Sequence, residues 1–387
     1  MLVGCNKAQP PIASIPQETD WLMYRGDFLG TGYSPLEQVN TNNVAQLNRS
    51  WTYSLQRINP DPNSSGPRSQ VTPIVIDGVM YLPAADRIVA LDATSGQELW
   101  RHVVDVDNGV PSRRGVAYMS GEDVLAARII FSTGSHLVSI KAVDGTLIED
   151  FGQGGFVDLG IPYNSVPLIF ENIIVVGANT PRGQVGGIGN ARAYDANTGK
   201  KLWEFSSVAQ PGTVGHDTWI GESWKERLGA NAWPFYFTVD PQSGLLYLPL
   251  ASPIPGWYGG DREGANLFGN SVVAVDIYSG EYRWHFQTIR HDIWDHDPPA
   301  PPVLFNVNRD GQTIPALAVS TKSGYLYILN RETGEPIFGV EEREVPPSDV
   351  PGEMTYPTQP FPMKPSSMGR VTYEAVSYTH LTLPTKA

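Results

Sequence analysis

One pattern recurs along this chain and limits what the chain can fold into. Ala-Leu-Asp-Ala-Thr-Ser-Gly-Gln-Glu-Leu-Trp fills residues 90–100. Ala-Tyr-Asp-Ala-Asn-Thr-Gly-Lys-Lys-Leu-Trp fills 193–203, and Ala-Val-Asp-Ile-Tyr-Ser-Gly-Glu-Tyr-Arg-Trp fills 274–284. Weaker copies run from Ser139 to Gly145, leading to Phe151, and from Ile328 to Gly334, leading to Phe338. The turn glycines Gly96, Gly145, Gly199, Gly280 and Gly334 stand 49, 54, 81 and 54 residues apart. Each copy reads as a strand, a tight turn and a second strand ending in an aromatic. Glycine supplies the positive φ the turn needs, and the Asp or Asn bonds its own turn backbone. The aromatic, at a fixed offset, is placed to pack between neighbouring units.

A hairpin of alternating apolar residues accompanies each strong copy. The segments are 72–82 with a turn at Asp77-Gly78, 166–176 with a turn at Glu171-Asn172, and 237–248 with a turn near Ser243-Gly244. A fourth, 316–329, turns at Ser323-Gly324. Hairpin plus repeat makes four strands per unit, the signature of a β-propeller blade. The 81-residue interval exceeds its 54-residue neighbours by 27, and the excess falls near residues 206–230. A long insertion in one blade maps to a face of the disc and often carries function.

Composition excludes several classes. The formal net charge is -13 with no long basic run, so the surface repels phosphate backbones and nucleic acid is not an expected partner. Cys5 is the one cysteine, which rules out an internal disulfide, a cysteine zinc site and a Cys-x-x-Cys-His haem attachment. No apolar run approaches the ~20 residues of a spanning helix. Leu2-Val3-Gly4-Cys5 resembles a bacterial lipoprotein box, in which the cysteine is acylated, although the positive and apolar regions of a signal peptide are missing. Residues 1–19 are therefore expected to be a tether or signal remnant, with a lipid anchor on Cys5. Residues 20–375 are expected to form a partial propeller. The pattern breaks over 376–387, which is expected to be a non-native tail.

Residues 284–297, Trp-His-Phe-Gln-Thr-Ile-Arg-His-Asp-Ile-Trp-Asp-His-Asp, concentrate chemistry in a short span. Asp292, Asp295 and Asp297 cannot all be ordinary buried residues, because a buried carboxylate needs a partner or a metal. Two tryptophans and the following Pro-Pro-Ala-Pro-Pro run point to a stiff wall around a site.

These residues carry a family resemblance. Residues 20–27 (Asp-Trp-Leu-Met-Tyr-Arg-Gly-Asp), 31–36 (Thr-Gly-Tyr-Ser-Pro-Leu) and 43–47, followed by Trp51, resemble the opening of pyrroloquinoline-quinone (PQQ) dependent dehydrogenases. The aromatic-ended turns resemble that family's tryptophan-docking motifs, and 291–302 resembles its active-site segment. Residues 348–353 and 358–362 are similar to the glucose-dehydrogenase branch. The resemblance implies an all-β, eight-bladed propeller, of which only about five to six blades are present. It also implies a periplasmic enzyme that oxidises a sugar or alcohol by hydride transfer to PQQ. A calcium or other divalent cation would hold the quinone and polarise it.

Roles carry over singly. Asp295 matches the general base, and Lys322 matches the cation on the quinone oxygens. Trp233 matches the tryptophan that stacks on the quinone. Arg192, Arg113 and Arg114 sit where the family binds the PQQ carboxylates. Gln70 falls where some relatives have a cofactor-binding glutamate. Asp292, Asp295 and Ser252 are the candidate metal ligands. Ser252 stands where the methanol-oxidising branch has an asparagine, a stronger ligand for a hard cation. With no haem motif, electrons are expected to leave to an external quinone such as ubiquinone, or to a cytochrome. The alternatives are a non-catalytic propeller scaffold of the same repeat and an inactive fragment whose blades do not close.

Overall fold

The computed structural model describes residues 20–60, 69–121, 126–178, 189–225, 237–254 and 256–369. Cys5, Trp233 and the 376–387 tail lie outside them. Among the described residues the chain is built of antiparallel meanders. The first is β1 (Ile74–Ile76), β2 (Val79–Pro83), β3 (Arg87–Asp92) and β4 (Glu98–Val103). The second is β5 (Ala117–Met119), β6 (Arg128–Thr133), β7 (His136–Lys141) and β8 (Phe156–Asp158). The third is β9 (Leu168–Phe170), β10 (Ile173–Val176), β11 (Ala191–Asp195) and β12 (Lys201–Phe205). The fourth is β13 (Thr238–Asp240), β14 (Leu245–Leu250), β15 (Ser271–Asp276) and β16 (Tyr282–Gln287). A three-stranded sheet follows, β17 (Val303–Arg309), β18 (Gln312–Ser320) and β19 (Leu326–Asn330), and then a pair, β20 (Val340–Glu344) and β21 (Thr358–Pro362). This is the expected propeller architecture.

The repeat sits at the β3–β4 type of turn. Asp92, Asp195, Asp276 and Asn330 each accept two backbone N–H groups of their own turn. Ala90, Ala193 and Ala274 pair with Trp100, Trp203 and Trp284, and each ladder shifts register one step later. That common bulge delivers the tryptophan to the next blade. The indole N–H of Trp100 donates to Ala142 O at 3.0 Å, Trp203 to Ile277 O at 2.9 Å and Trp284 to Arg331 O at 3.1 Å. Trp51 does the same to Ala93 O at 3.2 Å, although it lies outside any strand. Each ring covers the next turn glycine: a Cβ on Gly280 would come within 2.7 Å of Trp203, and one on Gly334 within 2.6 Å of Trp284. Both glycines have positive φ, so the turn and the close approach select the same residue.

One expected hairpin is offset. Residues 316–329 form the second and third strands of their sheet, and its first hairpin is β17–β18, turned at Asp310-Gly311. Asp310 adopts a positive φ there, which non-glycine residues seldom do.

The inner strands are tied together by residues 20–30. Trp21 pairs with Val75 of β1, while the carbonyls of Phe28 and Leu29 accept from Val239 of β13 and Leu304 of β17. Strand direction then places the candidate residues. The connections β2–β3, β10–β11, β14–β15 and β18–β19, the chain entering β1 and β5, and the chain leaving β16 open at one end of the blades. Gln70, Arg113, Arg114, Arg192, Ser252, residues 292–297 and Lys322 all fall on those connections or at their edges. A cavity of about 660 Å³ lies at the other end, by the β9–β10 turn, walled by Met23, Tyr24, Phe28, Tyr118 and Met119. None of the described candidate residues lines it.

Candidate active site

The site is built where the chain leaves β16. Thr288 donates through its backbone and its hydroxyl to Asn270 O, both at 2.8 Å, fixing the exit. His291 and Asp295 then adopt positive φ, a strained conformation for residues with side chains. The turn between them is wound around Asp292. Its carboxylate, buried at 1% exposure, accepts from the backbone N–H of Trp294 and of His296, both at 2.9 Å. It also accepts from Asn270 Nδ2 at 2.8 Å and from the Ser252 hydroxyl, and the Arg262 guanidinium donates to its backbone carbonyl.

Asp297 is buried as well. One oxygen accepts from Ser252 N at 2.8 Å and Ser252 Oγ at 3.1 Å; the other accepts from Lys322 Nζ at 2.6 Å. Ser252 Oγ carries one proton, so it serves Asp292 or Asp297 at any moment. Lys322 Nζ also donates to Asp295 Oδ2 at 2.9 Å. Asp295 is the exposed member, with 41% of its side chain accessible against 4% for Asp297. Burial pushes the Asp297 carboxyl up, against the pull of Lys322. Burial also works against the Lys322 ammonium, but its bonds to Asp295 and Asp297 hold it above the ordinary lysine range.

The loop after Ser252 closes the side of the site. Arg262 bonds Asn266 Oδ1 at 2.9 Å. His291 Nδ1 faces the Gly264 carbonyl at 2.9 Å and Asn266 Oδ1 at 3.1 Å, so it is the protonated nitrogen of a neutral ring. Burial, aided by the Arg262 charge, lowers the His291 pKa. Glu353 accepts from Gly259 N at 2.8 Å and Ser348 Oγ at 2.7 Å, strapping 348–353 over the loop.

The expected residues fall into three places at this end. Ser252, Asp292, Asp295 and Lys322 form one network. Gln70 and Thr72 pair through their backbone N–H groups with the carbonyls of Arg113 and Arg114, at 3.1 and 2.9 Å. Arg114 is buried on Asn164, at 2.7 Å from Oδ1, while Arg113 is exposed. Arg192 is buried beside Glu204 at 3.4 Å. Asn270 joins the Asp292 network without having been anticipated. Its only sequence signal is a Gly-Asn dipeptide before β15, and nothing in the spacing ties it to a carboxylate 22 residues on.

The fit of the implied groups differs. Arg113, Arg114, Arg192 and Lys322 gather cationic side chains at one end of a chain whose net charge is -13, which suits an acidic cofactor. The expectation that Asp292 and Ser252 ligate a cation meets a different arrangement. Four N–H and O–H donors already face the Asp292 oxygens, and the Ser252 hydroxyl is turned to carboxylates. Among the described residues no group of three His, Cys, Asp or Glu side chains is set to hold a metal ion. Asp292 and Ser252 hold the turn.

A family model described as PQQ: glucose/ethanol/alcohol dehydrogenase, beta-propeller domain, matches residues 21–385. The chain belongs to this PQQ family. It is 31% identical to quinoprotein glucose dehydrogenase A of Acinetobacter calcoaceticus, a match that covers 89% of this chain and 48% of that protein. It is 32% identical to the glycerol dehydrogenase large subunit of Gluconobacter thailandicus, over 91% of this chain and 50% of that one. Among solved structures, quinohemoprotein alcohol dehydrogenase ADHIIG from Pseudomonas putida HK5 superposes with a TM-score of 0.70 at 27% identity, covering 89% of this chain and 51% of the other. The quinohemoprotein alcohol dehydrogenase of Comamonas testosteroni gives 0.72 at 24% identity, covering 91% and 53%, a likeness of fold. The chain thus spans about half the length of the relatives it matches.

Proposed function

We propose that this chain is the catalytic propeller region of a PQQ-dependent dehydrogenase that oxidises a hydroxyl of a sugar or alcohol to the carbonyl. The observation that carries it is Lys322 bridging an exposed carboxylate, Asp295, and a buried one, Asp297, at the end where the arginines gather. When bound, the quinone accepts the hydride equivalent. Asp295 takes the hydroxyl proton on Oδ, and its exposure lets a substrate reach it. Lys322 presents an ammonium to oxygens that gain negative charge. Arg113, Arg114 and Arg192 would hold the cofactor carboxylates, and Trp233 would stack on its plane. The scaffold alternative has no need of a lysine shared by two carboxylates.

Transfer of electrons to an external quinone or a cytochrome, export to the periplasm and a lipid on Cys5 belong to the same proposal. The Leu-Val-Gly-Cys sequence supports the last two. A calcium ion, if the enzyme uses one, needs ligands beyond Asp292 and Ser252. The test is dye reduction by the PQQ-loaded chain over a panel of sugars and alcohols. Asp295→Asn is expected to lose about 10²–10⁴-fold in kcat while PQQ binding persists. Equal rates in wild type and Asp295→Asn would overturn the assignment.

A further inference from the structure

The two carboxylates on Lys322 are not equivalent. Asp297 is held from two elements: Ser252 N donates to its carboxylate at 2.8 Å, and Lys322 N donates to its backbone carbonyl at 2.9 Å. Its side chain is 4% exposed. Asp295 is 41% exposed, and among the described residues Lys322 is its one hydrogen-bonded partner. A fixed carboxylate and a free one therefore share a single ammonium.

Resting on the assignment of Asp295 and Lys322 as the working pair, we propose that Asp297 is a positioning residue, the fixed counter-ion that holds the Lys322 ammonium in place when it leaves Asp295. Turning the Lys322 ammonium from Asp295 toward an incoming oxygen breaks one charged hydrogen bond, and the bond to Asp297 remains to hold it. With Asp297 at 2.6 Å, the ammonium stays paired while Asp295 is released to accept a proton. Ser252 completes the device by holding Asp297 from the β14 side, 45 residues away along the chain. The role explains why the third aspartate of the 291–297 stretch is buried although the motif carries nothing that requires it to be.

Competitive acylation of the cofactor-free chain tests this directly. Trace acetic anhydride is added at mildly alkaline pH, and Lys322 modification is read by peptide mass spectrometry against Lys200, Lys201 and Lys225. Asp297→Asn is expected to raise Lys322 labelling about tenfold or more, the effect of roughly one pKa unit, with the reference lysines unchanged. Asp295→Asn is expected to raise it less than about threefold, as for a solvent-exposed pair. Asp297→Glu is expected to restore protection. If Asp297→Asn does not fold, Ser252→Ala keeps the N–H donor and is expected to raise labelling in a folded chain. Equal rises in Asp297→Asn and Asp295→Asn, or no rise in either, would overturn the proposal. The measurement needs neither cofactor nor substrate, so failure of PQQ binding and failure of this role are separate results.

Discussion

The Arg128 guanidinium donates to the Ala196 carbonyl at 3.2 Å, the place a tryptophan indole takes at the other blade junctions. The second unit carries Phe151 where its relatives carry a tryptophan, and a phenyl ring has no N–H to give. Arg128, buried on β6, supplies the donor instead. Arg128→Leu should leave that carbonyl unsatisfied and lower stability by about 1–3 kcal/mol in a denaturant melt. Trp284→Ala at an ordinary junction should lose more, about 3–5 kcal/mol, because a buried ring goes with the bond.

Two glycines separate backbone strain from crowding. Gly212 and Gly280 have φ of 82° and 72°, but a Cβ at Gly212 meets nothing within 4 Å. Gly212→Ala is expected to lower stability by about 1–2 kcal/mol from left-handed strain alone. Gly280→Ala adds a clash with Trp203 and is expected to lose about 1–3 kcal/mol more. Equal effects would mean that Trp203 yields freely.

Most of the fold was legible because one physical device, a turn that needs glycine followed by an aromatic, was written several times. The 316–329 hairpin turns at Ser323-Gly324 as expected, but it is the second turn of its sheet; Asp310-Gly311 is an equally good turn signal, and only pairing in space ranks the two. The site was legible in part. Asp295 and Lys322 stood out through resemblance, and the structure joins them at 2.9 Å. Asn270 meets Asp292 across the strands of one blade, and Asp297 meets Lys322 of the next sheet, pairings that no local pattern records. Asp292 matched the family motif in a structural or metal role; the N–H groups around it are set by a backbone turn that sequence does not display.

Acid should weaken the fold through histidine. Burial holds His102, His285 and His291 below the ordinary value, with Arg262 adding to the effect at His291. Their folded pKa is lowered, so the stability they confer is present above about pH 6.5 and falls as pH drops below it. Each contributes a slope of at most about 1.4 kcal/mol per pH unit. Thermal melts from neutral to mildly acidic pH should show the loss, and His291→Gln should flatten part of it. A melting temperature that holds constant across that range would contradict the burial of these rings.

The strap should release at lower pH. Burial opposes the Glu353 carboxylate, yet the Ser348 hydroxyl and Gly259 N–H hold it below the ordinary range. A lowered carboxyl gives stability that is present above the ordinary glutamate value and lost as pH falls through the folded one. Hydrogen exchange at 257–262 and 348–353 should rise below about pH 4, and Glu353→Gln should show weaker protection already at neutral pH.

The most direct measurement is a PQQ titration of the chain followed by tryptophan fluorescence, with and without added calcium. Saturable quenching is expected, weakened about tenfold or more in Lys322→Ala by loss of one charged contact, and reduced in amplitude in Trp233→Ala. No saturable quenching under either condition would contradict the assignment of this end of the propeller as the cofactor site.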